Sequence, residues 1–286
     1  VNNHLHFDYT TVGHVTIDVL EDGSRRPGGT AFYSALQAAR LGQRTLIITQ
    51  GVPDEINALL APYRDELELT VLPAAATTTM RTAGHGDERS QRLLAWAGPI
   101  AQQLEPDTSI LHLAPVVREG PGSWRGRAAF VGLTAQGLAR RWDHSTGQIT
   151  HVAPDTAARA LAERCHALVV NEAERAFCAE LIAAAGAAGA LVVVTDGDAP
   201  VTVLAPAARV HEVPVPALSA HVDDLGAGDV FAAAFFIAVS EAQSPLEAAR
   251  FASAASAVRM RGAGADAIGD RDAIEARLLA TGPRSG

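Results

Sequence analysis

The residues best suited to chemistry stand together late in the chain, in Asp223-Asp224-Leu225-Gly226-Ala227-Gly228-Asp229, followed at once by the apolar run Val230-Phe231-Ala232-Ala233-Ala234-Phe235-Phe236. A Gly-Ala-Gly turn at a helix start leaves backbone N–H groups without helical acceptors at the positive end of the macrodipole, and small side chains let an anion approach them. The segment reads as an anion hole. Asp229, at the same helix tip, is placed to take a proton from a hydroxyl while Gly226, Ala227 and Gly228 offer amides to the charge on a transferring phosphoryl group. Read blandly, the same residues are a capped turn with an ordinary first-turn Asp, and a bare Gly-x-Gly would not decide between the two. A dinucleotide-binding reading fails on context, because His221-Val222-Asp223-Asp224 precede the glycines where that fold needs an apolar strand.

All 23 basic side chains are arginine, and the chain has no lysine. That excludes a lysine Schiff base, a Walker lysine and a lysine general base. Phosphate would have to be handled by backbone N–H groups, arginine and a metal ion. Arg81 and Arg89, on either side of a Gly84-His85-Gly86-Asp87 turn, are candidates for a mobile positive charge that closes over the site. A net charge of −9 argues against a nucleic-acid partner, whose grip would need clustered positive charge. No apolar stretch of membrane-spanning length is present and Val1-Asn2-Asn3-His4 lacks the order of a signal peptide, so a cytoplasmic protein with no membrane partner is expected. Cys165 and Cys178 form neither a CxxC motif nor a metal quartet and read as buried thiols.

The elements that must position these groups follow from periodicity. At 286 residues the chain suits a single large α/β domain, 1–286. Phe7 to Val12 and Val15 to Leu20 read as two strands around Gly13-His14, and Thr30 to Leu41 as a helix closed by Gly42. Thr45 to Thr49 and Leu67 to Leu72 read as strands, with a helix from Asp54 to Tyr63 opened by an Asp cap between them. Thr77 to Leu94 reads as a two-stranded flap, and residues 14–27 and 77–94 together as small lid elements. Strands at Ser109 to Leu113, Ala128 to Leu133, Ala167 to Val170 and Leu191 to Thr195 alternate with helices at Ala157 to Glu163 and Glu172 to Ala185. Val201 to Leu204 and Val210 to Val213 read as a meander, and Asp229 to Val239, Pro245 to Arg259 and Arg271 to Leu279 as helices. Such alternation predicts a mostly parallel central sheet flanked by helices on both faces, with a small β lid.

The run Asp223 to Asp229 resembles the D-T-x-G-A-G-D signature of the ribokinase/PfkB family of carbohydrate kinases. Other motifs agree in order. Pro27-Gly28-Gly29, with the helix ending Ala39-Arg40-Leu41-Gly42, resembles the family's N-terminal di-glycine element, and Asp18 matches a position that binds substrate hydroxyls. Asn171-Glu172-Ala173-Glu174 resembles the N-x-x-E motif that orders Mg²⁺ through water, and Thr195-Asp196-Gly197 the T-x-G strand end that touches nucleotide phosphates. Alone, each minor motif has an ordinary reading: a strand-end Asp, a helix entry, or a cap with its N3 acid.

The resemblance implies a ribokinase-like fold and an ATP- and Mg²⁺-dependent kinase acting on a small sugar or polyol. It assigns acceptor binding to Asp18, Gly28, Gly29 and Asp229, and nucleotide binding to Thr195, Gly197, Asn171, Glu174 and Gly228. Mg²⁺ falls to Glu174 and Asn171 through water. Some family members also bind a monovalent cation such as K⁺, and Asp223 matches a position near it. The brief flap resembles short-lid, inositol-kinase-like members and fits a monomer or a homodimer. Tyr33 replaces a sugar-contacting asparagine, Pro200 a glycine of the T-x-G-x-x-G pattern, Asp224 the signature threonine, and Ser253 an asparagine near the adenine. A nucleoside acceptor and a non-catalytic ligand-binding relative remain the alternatives.

Overall fold

A computed structural model of the chain describes residues 6–84, 90–120, 127–206, 209–218 and 222–281. The chain begins with β1 (Phe7–Val12), β2 (Thr16–Val19), β3 (Arg25–Gly28), α1 (Thr30–Arg40), β4 (Thr45–Gly51), α2 (Pro53–Leu59) and β5 (Glu68–Pro73). Six strands follow: β6 (Thr79–Ala83), β7 (Ser90–Ala95), β8 (Asp107–Leu113), β9 (Arg127–Thr134), β10 (Arg140–Trp142) and β11 (Ile149–His151). Next come α3 (Thr156–Ala162), β12 (Ala167–Asn171), α4 (Glu172–Arg175), α5 (Ala179–Ala187) and β13 (Leu191–Thr195). The chain then runs through β14 (Val201–Ala205), β15 (Arg209–Val213), α6 (Ala227–Ser240), α7 (Pro245–Arg259) and α8 (Arg271–Thr281).

Nine strands form one sheet in the order β15-β14-β13-β12-β9-β8-β1-β4-β5. Neighbours from β13 to β5 pair in parallel, and β14 pairs antiparallel with β13 and β15. Alternate strand residues serve opposite faces, as the period of two requires. Tyr9, Ile47, Phe130, Val169 and Val193 join the core built with α1, α6 and α7. Val12, Leu111, Leu133, Val170 and Val194 join the one built with α3 and α5. The mostly parallel sheet with helices on both faces is therefore observed.

The helix that carries the site, α6, is apolar nearly all round and buried between α1 and α7. It lies close on the sheet because β9 has Gly132 beneath it: a Cβ there would come within 2.4 Å of the Phe236 ring. Packing thus fixes the height of the α6 tip.

Several expectations are corrected. The two strands read around Gly13-His14 lie in different sheets. The chain leaves the central sheet at Gly13, where a Cβ would stand 2.0 Å from the Ala114 carbonyl oxygen, and enters a second sheet of order β3-β2-β6-β7. The flap is thus half of this four-stranded sheet; its turn residues His85, Gly86 and Asp87, together with Arg89, lie outside the described residues. A further hairpin, β10–β11, lies along β7, with Leu93 N donating to Gly147 O at 2.8 Å and Trp96 against Trp142 at 5.1 Å. Its three-residue strands are too short to show a period. The helix expected from Asp54 begins instead at Pro53 with Val52 as its N-cap, because proline has no N–H to leave unpaired there. The helix expected over Glu172 to Ala185 is divided into α4 and α5. Among the described residues no helix is long and apolar enough to cross a membrane.

Candidate active site

A cavity of about 140 Å³ lies where the C-terminal ends of the parallel strands face the four-stranded sheet. Thr16, Asp18, Met80 and Gln91 reach it from that sheet, Gly29, Thr30 and Tyr33 from the start of α1, and Val116, Gln136, Arg140 and Asn171 from segments that follow or end β8, β9 and β12. Asp224, Leu225, Gly226, Gly228 and Asp229 complete it. Open α/β sheets bind ligands at this edge, because the loops there diverge where the chain reverses its winding.

The α6 tip is shaped by its own sequence. Gly226 is the N-cap at φ +83°, a left-handed conformation that suits glycine, and Asp223 Oδ1 accepts from Leu225 N at 3.0 Å to close the preceding turn. Ala227 N donates to Asp224 O at 3.1 Å, and Ala227 does not line the cavity. The expectation for Ala227 is thereby corrected: its amide closes the turn, while Gly226 and Gly228 face the cavity. Two serines tie the first turn to its neighbours, Ser34 Oγ donating to Asp229 O at 3.0 Å and Ser256 Oγ to Ala227 O at 3.1 Å.

Asp229 sits at the third helical position, part-buried, and lines this cavity. Burial raises its pKa to about 7; the Thr30 hydroxyl and Arg140 pull it down, and Glu174 and Asp18 add to the rise. A carboxyl so poised holds both protonation states near neutral pH, as a general base requires.

Asp18 is buried, takes a 2.7 Å hydrogen bond from Thr16 Oγ1, and rests on Gly28, where a Cβ would stand 2.1 Å from Asp18 Oδ2. Gly29 has φ +91°, and a Cβ on it would meet the His14 carbonyl oxygen at 2.4 Å. The two glycines are therefore required by close approach. Gly28 itself does not line the cavity but makes room for Asp18, which does.

Asn171 and Glu174 form a reciprocal cap on α4: Asn171 Oδ1 accepts from Glu174 N at 2.8 Å, and Glu174 Oε2 from Asn171 N at 3.2 Å. The cap engages one side-chain oxygen of each residue. Glu174 Oε1 is buried without a hydrogen-bond partner, and burial raises the Glu174 pKa despite Arg140 and the Asn171 bonds. An orphaned carboxylate oxygen next to a cavity-lining Asn171 fits a Mg²⁺ ion carrying its own waters. Among the described residues no group of three or more His, Cys, Asp or Glu gathers to hold a metal, so water or a bound molecule would have to supply the remaining ligands. Thr195 lies beside Asn171 in the β12–β13 register, and Gly197 follows at φ +54° in open surroundings; neither lines the cavity.

Sequence reasoning missed Arg140. It is buried, donates to Val116 O at 3.0 Å and meets the Gln136 amide, whose oxygen accepts from it when turned inward. Its neighbours Gln136 and Thr30 line the same wall. Arg81 is exposed and does not line the cavity, so it is not the site's cation in this structure, and Arg89 is not described. Glu119 was missed as well: its buried carboxylate accepts from His14 N, Val116 N and Val117 N, which sets the Val116 loop. Only a polar residue in an apolar setting could have flagged either one. The Ser253 hydroxyl bonds to Ala249 O within its own helix, at 2.8 Å.

Residues 136–270 match the family model described as pfkB family carbohydrate kinase. Solved structures share the fold over nearly the whole chain. A pyrophosphate-dependent kinase in the ribokinase family, complexed with a pyrophosphate analog and myo-inositol, is 22% identical at a TM-score of 0.73, over 94% of this chain and 99% of its own. Arabidopsis thaliana ribokinase, complexed with ribose and ATP, is 19% identical at 0.72, over 96% and 99%. Burkholderia thailandensis nucleoside kinase, in complex with inosine, is 15% identical at 0.74, over 95% and 97%. No curated protein matches the chain.

Proposed function

We propose that this chain, a ribokinase-like protein whose residues 136–270 carry the pfkB family carbohydrate kinase match, transfers the γ-phosphoryl group of ATP to a hydroxyl of a small sugar or polyol. One observation carries the reading: Asp229, with a pKa of about 7, shares a polar cavity with Asp18 and with the Gly226 and Gly228 backbone at a helix tip. In-line phosphoryl transfer asks for a positioned nucleophile, neutralised phosphates and little else.

Asp18 and the Gly29 backbone hold the acceptor. Asp229 takes the proton of its hydroxyl, and the freed oxygen pair forms the new bond to phosphorus. The bond from phosphorus to the leaving diphosphate breaks, and its electron pair stays on the leaving oxygen. Amides at Gly226 and Gly228 meet the charge that builds on the transferring group, and Arg140 supplies fixed positive charge to the same wall. Glu174 and Asn171 would hold, through water, a Mg²⁺ ion, which would supply neutralisation of phosphate charge. The lid, through Met80 and Gln91, limits water at the site.

The test is product release from ATP, and from pyrophosphate as a second donor, with a panel of polyols, sugars and nucleosides. The wild type should give an acceptor-dependent signal that drops by about three orders of magnitude or more in Asp229→Asn. Equal rates in both proteins would end the proposal. Turnover confined to nucleosides would move the acceptor class, and ligand binding without turnover in either protein would leave a binding protein.

A further inference from the structure

Arg259, the last residue of α7, has no exposed surface, and its guanidinium is surrounded by oxygens of two loops. Nη1 donates to Asp223 O at 3.3 Å and Gly262 O at 3.0 Å; Nη2 donates to Asp223 Oδ2 at 3.1 Å and Leu225 O at 2.6 Å. Three backbone carbonyls and one carboxylate oxygen around a single positive charge form the kind of set that replaces the water shell of an alkali cation. Here that charge belongs to the protein. Asp223 has no capacity to spare: Oδ2 also accepts from Arg26 at 2.8 Å and Gly264 N at 3.0 Å, and Oδ1 from Leu225 N at 3.0 Å. A monovalent metal ion at Asp223 therefore does not fit this chain.

We propose that Arg259 is the resident cation of the anion hole, a positioning residue that does the work of a bound monovalent ion and makes the transfer independent of K⁺. The inference rests on the phosphotransfer reading above. The link to the site is covalent geometry. In a planar trans peptide the N–H points opposite to the C=O, so drawing the Leu225 carbonyl toward Arg259 turns the Gly226 N–H the other way. Leu225 and Gly226 both line the cavity, so the carbonyl bond on the buried side sets the donor on the open side. The guanidinium carbon also lies 5.5 Å from the centre of the Tyr33 ring, the ring on which Gly226 packs, so the turn is braced from two directions. A buried cation behind the helix tip adds to the positive potential an anion meets there.

The test uses wild type, Arg259→Ala and Arg259→Lys at fixed ionic strength, with either tetramethylammonium or K⁺ as the sole monovalent cation. Turnover is one readout; calorimetric binding of inorganic pyrophosphate is the other and needs no knowledge of the acceptor. Wild type should be unchanged within about twofold between the two cations. Arg259→Ala should lose about a hundredfold in kcat, the range for removing an oxyanion-hole donor. It should also bind pyrophosphate more weakly, and K⁺ or low guanidinium should restore both in a saturable way, because the vacated oxygens now accept a cation. Arg259→Lys should fall between the two. Wild-type dependence on K⁺ in either readout overturns the proposal, as does an Arg259→Ala loss that no added cation restores. If Arg259→Ala does not fold, the wild-type comparison and Arg259→Lys decide. Cation-independent pyrophosphate binding without turnover on any acceptor would uphold the resident cation while rejecting the kinase.

Discussion

Gly226 lies flat against the ring of Tyr33, so close that a Cβ on the glycine would stand 2.4 Å from the ring carbon Cγ. Gly228, two residues on, has nothing within 4 Å of where its Cβ would be. The two glycines of one turn therefore serve different needs. Gly226→Ala combines a left-handed backbone with a ring clash and should cost about 2–4 kcal/mol of stability. Gly228→Ala should leave stability within about 0.5 kcal/mol and yet weaken turnover at least about tenfold, because its methyl group occupies the approach to the amides. Thermal unfolding and steady-state kinetics on both variants separate the two roles.

Asp229 sets a pH dependence with a definite sign. Burial holds its carboxyl at about 7, above its ordinary 3.8, so the folded chain binds this proton more tightly than the unfolded chain does. The group's contribution to stability is present below about pH 4 and is lost as pH rises through 7. Asp229→Asn should therefore gain on the wild type in urea unfolding as pH goes from 4 to 8. Over the same range wild-type kcat/KM should climb with a midpoint near 7, as the base forms.

Arg140 lowers the Asp229 pKa by its charge. Arg140→Met removes that charge, so the acid limb of the pH–rate profile should move to higher pH. Its plateau should drop by about tenfold or more through loss of fixed positive charge at the transferring group. An unmoved limb would mean that Arg140 only supports the Val116 loop.

Glu174→Gln keeps a side-chain oxygen for the Asn171 N–H but removes the charge behind the orphaned Oε1. Stability should hold or rise, since a buried charge with a raised pKa is removed. The Mg²⁺ concentration giving half-maximal turnover should increase several-fold. Asn171→Ala instead loses a helix cap and should cost about 1 kcal/mol in thermal unfolding.

Cys165 and Cys178 are buried, and burial pushes both thiols up to about 12. Neither should react with a thiol reagent at pH 8 in the folded protein, while both should react once it is unfolded in guanidinium. Fast labelling of the native chain would place one of them in the open.

The sequence alone determined the sheet-and-helix alternation, the run Asp223 to Asp229 at a helix start, and the glycine pair at Gly28-Gly29, because periodicity and turn chemistry are written in neighbouring residues. The capping box at Asn171 and Glu174 was legible too, as the ordinary reading of that motif. The sequence did not determine that Phe7–Val12 and Thr16–Val19 lie in different sheets, that Ala227 spends its amide on Asp224, or that Arg140 faces the cavity from the segment after β9. Nor could it show that Arg259 surrounds itself with the oxygens of a segment 34 to 36 residues earlier in the chain. Those facts rest on which side chains meet after collapse. A charge becomes buried and committed only when distant backbone closes around it, and that choice belongs to packing across the sheet edge, where no local pattern carries the signal.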